Sequence, residues 1–239
     1  MLIGSDFDKI QFQLFGLDLA EPIGFLGDVL ISCFAFYFAF KTYKLYRTPF
    51  TKNWFFFFVL FGIGFIMGGF GHLFYNYWGT PGKYIGWFTG IIYVFFIEQA
   101  MLPFLKNVKI KKTLLLLSRF KLVLAFLTQV YVVLTVDLYP DYSFGMKVPT
   151  INSTLGLVYC LGILGYVFSK NTHQSFANFY YSVLIMFPAV IIQGLKINIS
   201  PWFDKNDASH LMVFIGLFFY FRGVKEVSNY QKSLSNNGK

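Results

Sequence analysis

The sequence predicts an all-α, polytopic membrane protein with seven transmembrane helices, its N-terminus outside and its C-terminus cytoplasmic. Three observations carry this. The 239 residues are 56% hydrophobic and 22% aromatic but only 13% charged, against roughly 25% charged in a soluble domain. Seven apolar runs each approach the roughly 20 residues that span a bilayer. Lysine and arginine fall unevenly on the two sides of those runs, which sets orientation.

Residues 1–21 form an amphipathic lead, with Phe7, Ile10, Phe12, Leu14 and Phe15 among Asp6, Asp8 and Lys9. Such a segment suits the membrane surface. The apolar runs are residues 22–42, 53–78, 84–105, 113–138, 148–169, 175–195 and 207–224, which together make one domain over 22–227. Pro22 suits a first helical turn, Pro103 ends the third run, and Pro188 inside the sixth predicts a kink. Residues 228–239 are polar and read as a disordered cytoplasmic tail. The first twenty residues lack the basic region and apolar core of a cleavable signal. Cys33 and Cys160 fall inside apolar runs and read as buried thiols rather than a disulfide framework.

With the N-terminus outside, 15 of the 20 lysines and arginines lie on the cytoplasmic side, and Lys9, Lys83, Lys147, Lys196 and Lys205 lie outside. The net charge of +9 is thus accounted for by topology, and no nucleic-acid partner is expected. The partners expected are the bilayer and a lipid substrate, in a plasma or inner membrane.

Ionisable groups inside a membrane are costly and face the bundle interior, so each is a functional candidate. Asp28 and His72 each lie six residues inside their runs, about 9 Å deep at a rise of about 1.5 Å per residue. Asp207 and His210 open the seventh run. Four groups from three helices therefore reach one shallow layer on the outer side. Asp28 and Ser32 share a helix face at i,i+4, as do Asp207 and His210 at i,i+3. Gly64, Gly68 and His72 recur every four residues, a pattern that lets a neighbouring helix approach closely. Asn206 and Asp207 are also suited to capping the last helix. Ser32 is expected to bond its own helix backbone, and Glu98 lies deeper, towards the basic second loop.

Two imidazoles with one or two carboxylates suit a zinc-like ion. His72, His210, Asp28 and Asp207 are the candidate ligands, with Asp28, Asp207 and Ser32 as candidate catalytic groups. Such an ion would activate water and polarise a carbonyl. The shallow position suits a lipid-like amide or ester, so the expected function is metal-dependent hydrolysis in the outer leaflet.

These features resemble the alkaline ceramidase-like superfamily of seven-helix membrane hydrolases, which includes ceramidases and adiponectin-receptor-type proteins. The resemblance implies a zinc site built from histidines of the second and seventh helices, with a serine and an aspartate nearby. His72 matches the second-helix ligand, and His210 matches the second histidine of the seventh-helix H-x-x-x-H pattern. Asn206 stands where the first of those histidines belongs, and Gly68 stands where the family has serine. The third-helix aspartate has no clear counterpart, Glu98 being deeper and longer. A closer likeness is to uncharacterised seven-helix proteins with an early Asp28, a G-x-x-x-H ending at His72, and N-D-x-x-H-L from Asn206 to Leu211. Two alternatives stand beside the hydrolase: a non-enzymatic subunit or receptor with a structural His/Asp cluster, and a small-molecule or ion transporter. A retinal protein is set aside, because Leu211 to Phe221 contains no lysine.

Overall fold

A small β-hairpin caps one end of a helical bundle in this computed structural model, which describes residues 7–45, 47–139 and 141–237. Strands β1 (Gln11–Leu14) and β2 (Leu17–Ala20) pair antiparallel, from Gln11 opposite Ala20 to Leu14 opposite Leu17. Phe15 and Gly16 join them with φ of 53° and 77°, the two positive values that a tight hairpin of matching twist requires. Polar and apolar residues alternate along Gln11-Phe12-Gln13-Leu14, which is a strand period rather than a helical one. The amphipathic lead is therefore a hairpin over its described part, and Met1–Asp6 lie outside the described residues. The Asp18 N–H donates to the Tyr77 hydroxyl at 2.9 Å, and the Asn76 amide donates to the Asp18 carbonyl at 3.3 Å.

Among the described residues seven long helical elements follow: α1 (Pro22–Tyr43), α2 (Pro49–Leu73), α3 (Tyr84–Met101), α4 (Val108–Thr135), α5 (Tyr142–Asn171), α6 (Ala177–Gly194) and α7 (Lys205–Asn237). Among the described residues six runs are long and apolar enough to cross a membrane: α1, α2, Thr80–Phe104 around α3, α4, α5, and Gln174–Gly194 around α6. This is the pattern of a multi-pass membrane protein. Helix α5 begins as a 3₁₀ turn and passes through a π turn at Val158–Ile163.

Caps explain where the helices depart from the hydropathy pattern. Thr48 and Thr51 form a reciprocal capping box before Pro49, so α2 begins ahead of its apolar run. It ends at Leu73, which leaves Trp78 in a separate turn, Tyr75–Trp78, and puts His72 in the last turn of α2. At α7 the cap is Asp204, not Asn206. The Asp204 carboxylate accepts from the N–H groups of Asn206 and Asp207 at 2.6 and 3.2 Å, and the Asp207 carboxylate accepts from the Asp204 N–H at 3.0 Å. Nor does the chain loosen at residue 228: α7 continues to Asn237. Val224, Val227 and Ser228 are buried along one face, and the next turn accepts the Thr48 hydroxyl on Gln231 at 2.9 Å. Gly238 and Lys239 lie outside the described residues.

The core away from the hairpin is aromatic. The buried Trp54 stacks on Phe179 at 5.1 Å, and Phe38 stacks on Phe221 at 4.5 Å. Leu116, Leu117, Phe120, Leu124 and Leu134 of α4 are exposed, as a lipid-facing surface requires. Cys160 is buried, but Cys33 is exposed on the bundle surface.

Towards the hairpin the helices close on glycine. A Cβ on Gly69 would lie 2.9 Å from the Cβ of Asp28, and one on Gly71 would lie 2.6 Å from the Gly82 carbonyl oxygen. The second contact is with backbone and cannot rotate away. Gly71→Ala is therefore expected to destabilise the protein by about 1–3 kcal/mol, seen as a lower melting temperature in detergent. Gly27→Ala, with nothing within 4 Å of the added Cβ, should be neutral or stabilising by up to about 1 kcal/mol. Equal melting temperatures for the two variants would contradict the close approach.

Candidate functional site

The side chains expected to share one layer do reach the hairpin end of the bundle, but as two pairs and not as a ring. The first pair joins α1 to α7. Asp28 is 2% exposed, and its Oδ1 lies 2.9 Å from His210 Nδ1. The contact has ion-pair rather than hydrogen-bond geometry, and neither atom has a hydrogen-bond partner among the described residues. Helix α2 packs closely against the same aspartate at Gly69, where an added Cβ would lie 2.9 Å from Asp28 Cβ, while one on Gly68 would make only an ordinary 3.6 Å contact with Oδ2. Phe65 meets the His210 ring edge-on at 5.4 Å.

The second pair joins the lead to α2. His72 Nδ1 lies 2.7 Å from Glu21 Oε2, not against Asp28. Lys9 reaches the other carboxylate oxygen of Glu21 at 2.5 Å. Burial alone would raise the Glu21 carboxyl, but the His72 hydrogen bond and charge, followed by Lys9, outweigh it and hold its pKa at about 2 against an ordinary 4.5. Glu21 also precedes Pro22 with φ 51° and ψ 58°, a left-handed conformation that costs a non-glycine residue on the order of 1 kcal/mol or more. Its N–H donates to the Ile10 carbonyl at 2.9 Å. The strained residue is thus held from three directions at once.

The other candidates take different places. Ser32 donates across to the Gly62 carbonyl of α2 at 2.8 Å, so its hydroxyl ties α1 to α2 instead of bonding its own helix. Asp207 is committed to the cap of α7. Glu98 pairs with Lys121 at 2.5 Å and accepts from the Ser118 hydroxyl at 2.5 Å, which directs it towards α4. Glu21 is absent from the sequence-derived set because it precedes the first apolar run. An acid directly before the Pro22 helix start, at the same end as a last-turn histidine, was the available signal.

Two cavities meet at His210. One, of about 350 Å³, is lined by Asp28, His72, His210, Trp87, Tyr93 and Ser153 among others. The other, of about 260 Å³, lies between α1 and α7 and is lined by Ile23, Leu26, Leu30, Leu211 and His210 among others. Those four apolar residues are exposed on the bundle surface, so the second cavity opens sideways, where lipid would lie. With Nδ1 facing a carboxylate in each pair, no hydrogen bond engages Nε2 of His72 or of His210 among the described residues.

A zinc centre does not fit this arrangement. Among the described residues no group of three or more His, Cys, Asp or Glu side chains stands where it could hold a metal ion. Asn206 donates to Asp204 and accepts from Gln193, leaving the seventh helix with one imidazole. The cluster already holds a cation as well: Lys83 Nζ, on a buried side chain, lies 3.5 Å from His72 Nδ1. The donors neutralise one another and their lysines instead of converging on an ion.

Fold and site together define a multi-pass helical protein with two half-buried imidazoles, each paired with a carboxylate, at one end of its bundle. The chain belongs to a family of unknown function, DUF6962, which it matches over residues 23–229. The match takes in Asp28, His72, Asp207 and His210, while Glu21 precedes it. No curated protein and no solved structure matches the chain.

The lowered Glu21 pKa makes stability depend on pH. Because the folded-state value lies below the unfolded one, its contribution is complete above about pH 4.5 and is lost as pH falls towards about 2. The full effect is on the order of 3 kcal/mol. Thermal melts of detergent-solubilised protein should show this acid-side loss in the wild type and a flatter profile in Glu21→Gln, with the variant less stable at pH 6. Parallel profiles for the two proteins would remove Glu21 from the pairing.

Proposed function

We propose that this is a seven-helix membrane protein, N-terminus outside, that hydrolyses an ester or amide of a lipid-like amphiphile at the Asp28–His210 pair. The observation that carries the reading is the position of His210. It borders both a laterally opening apolar cavity and a second cavity into which Asp28 and His72 also face, so an amphiphile entering from the bilayer between α1 and α7 would meet the imidazole with its head group. Asp28 at Nδ1 holds the ring in one orientation and stabilises the imidazolium, as in an Asp–His dyad. Nε2 then takes the proton of an attacking water and returns it to the leaving alkoxide or amine. His72, fixed by Glu21, lines the same cavity as Asp28 and His210 and supplies a second hydrogen-bonding nitrogen for the head group. This keeps the reaction class expected of a ceramidase-like protein but assigns the water activation to the dyad rather than to a metal.

The apolar run 207–224 within α7 supports a seventh crossing beside the six. The unequal division of lysine and arginine supports the orientation. A non-catalytic lipid receptor is the second reading, favoured by Ser32 being engaged on the Gly62 carbonyl, where it offers no nucleophile.

The test is release of free acyl chains by nanodisc-reconstituted protein from a panel of acyl esters and acyl amides, followed by mass spectrometry. Wild type should turn over at least one of them, and a chelator should leave the rate unchanged. His210→Ala and Asp28→Asn should each lower the rate by about 10²–10⁴-fold. Turnover persisting in His210→Ala would sink the proposal. Saturable binding without turnover in wild type would establish the receptor.

A further inference from the structure

At the end of the bundle opposite the hairpin, a groove of about 840 Å³ runs beside the α1–α2 connection. Its lining is mixed in chemistry. Arg47 and Lys52 contribute cationic tips to its lining, Phe55, Phe56 and Phe96 contribute rings, and Thr42 lines it as well. Neither Arg47 nor Lys52 pairs with a carboxylate among the described residues. Thr42 is 2% exposed, yet its hydroxyl has no hydrogen-bond partner among the described residues. A buried hydroxyl normally finds one, and a helical threonine has its own backbone carbonyl within reach.

The approach to the groove is graded. Lys41, Lys44 and Arg47 each lie over the ring four residues earlier: Tyr37 at 5.3 Å, Phe40 at 4.1 Å and Tyr43 at 4.8 Å. Aromatic stems with cationic tips suit the boundary between hydrocarbon and head groups. Counting Lys52, four cations fall within twelve residues of sequence, the density at which juxtamembrane segments select anionic lipids.

We propose that this groove binds one anionic phospholipid, its phosphate between Arg47 and Lys52 and one acyl chain along Phe55, Phe56 and Phe96. A lipid, and not free phosphate, is the occupant because the rings are as much of the groove's lining as the cationic tips. The site is separate from the Asp28–His210 pair and does not depend on the chemistry there.

Native mass spectrometry of the full chain released from micelles decides the matter, with phosphatidylglycerol and phosphatidylcholine of identical acyl chains added in turn. Wild type should retain phosphatidylglycerol about tenfold better. Arg47→Gln/Lys52→Gln should bring the two lipids within about twofold while keeping the wild-type melting temperature. Lys109→Gln/Lys112→Gln, which removes two exposed charges outside the groove near the start of α4, should keep the preference. The proposal is overturned if the preference survives the first variant or falls equally in both. Displacement of the lipid by millimolar inorganic phosphate alone would also overturn it, by making the groove a free-anion site.

Discussion

An ionised group buried in a bundle of this composition must meet an opposite charge, and that constraint organises the molecule. Removing one partner of a buried pair typically costs about 3–5 kcal/mol, whereas one aromatic contact contributes about 0.5–1.5 kcal/mol beyond its area. The many rings of the core supply bulk cohesion but tolerate sliding. The three ion pairs, in each of which at least one partner is half-buried, do so less. Asp28–His210 sets α1 against α7, Glu21–His72 sets the lead against α2, and Glu98–Lys121 sets α3 against α4. Each pair joins a different couple of elements, so together they fix heights that apolar packing would leave free.

The same constraint separates the two ends of the bundle. Near the hairpin, glycines bring backbones together and leave room for polar groups and cavities around His210. At the other end Trp54, Phe57, Phe58 and Phe179 are fully buried and fill the interior. Among the described residues the pairs around His210 thus have cavity space beside them, and the basic groove beside α2 lies outside the filled core.

How much of this could be read in advance follows from what periodicity encodes. Composition and run length recovered the helical, membrane-type architecture, because lipid and core both demand apolar residues over the length of a span. Depth counting brought Asp28, His72 and His210 to one end of the bundle, because rise per residue is nearly constant. It could not choose partners at equal depth: which groups face each other depends on rotation and neighbour order, and Asp28 meets His210 while His72 meets Glu21. The hairpin was hidden because its alternation lasts only four residues per strand. The tail was misjudged because its buried face is carried by Val227 and Ser228 within an otherwise polar stretch.

The π turn at Val158–Ile163 bears on how α5 is counted. Before it, Gly156 meets Val94 and Glu98 of α3; after it, Gly165 meets Phe179 and Tyr180 of α6. One residue more than an α-turn holds is wound into the helix there, a phase change of about 100° at 3.6 residues per turn. Faces assigned by extrapolating from Asn152 or Ser153 are therefore rotated by that angle for every residue beyond Ile163. Helix α5 is one rod with two phases, the first addressed to α3 and the second to α6.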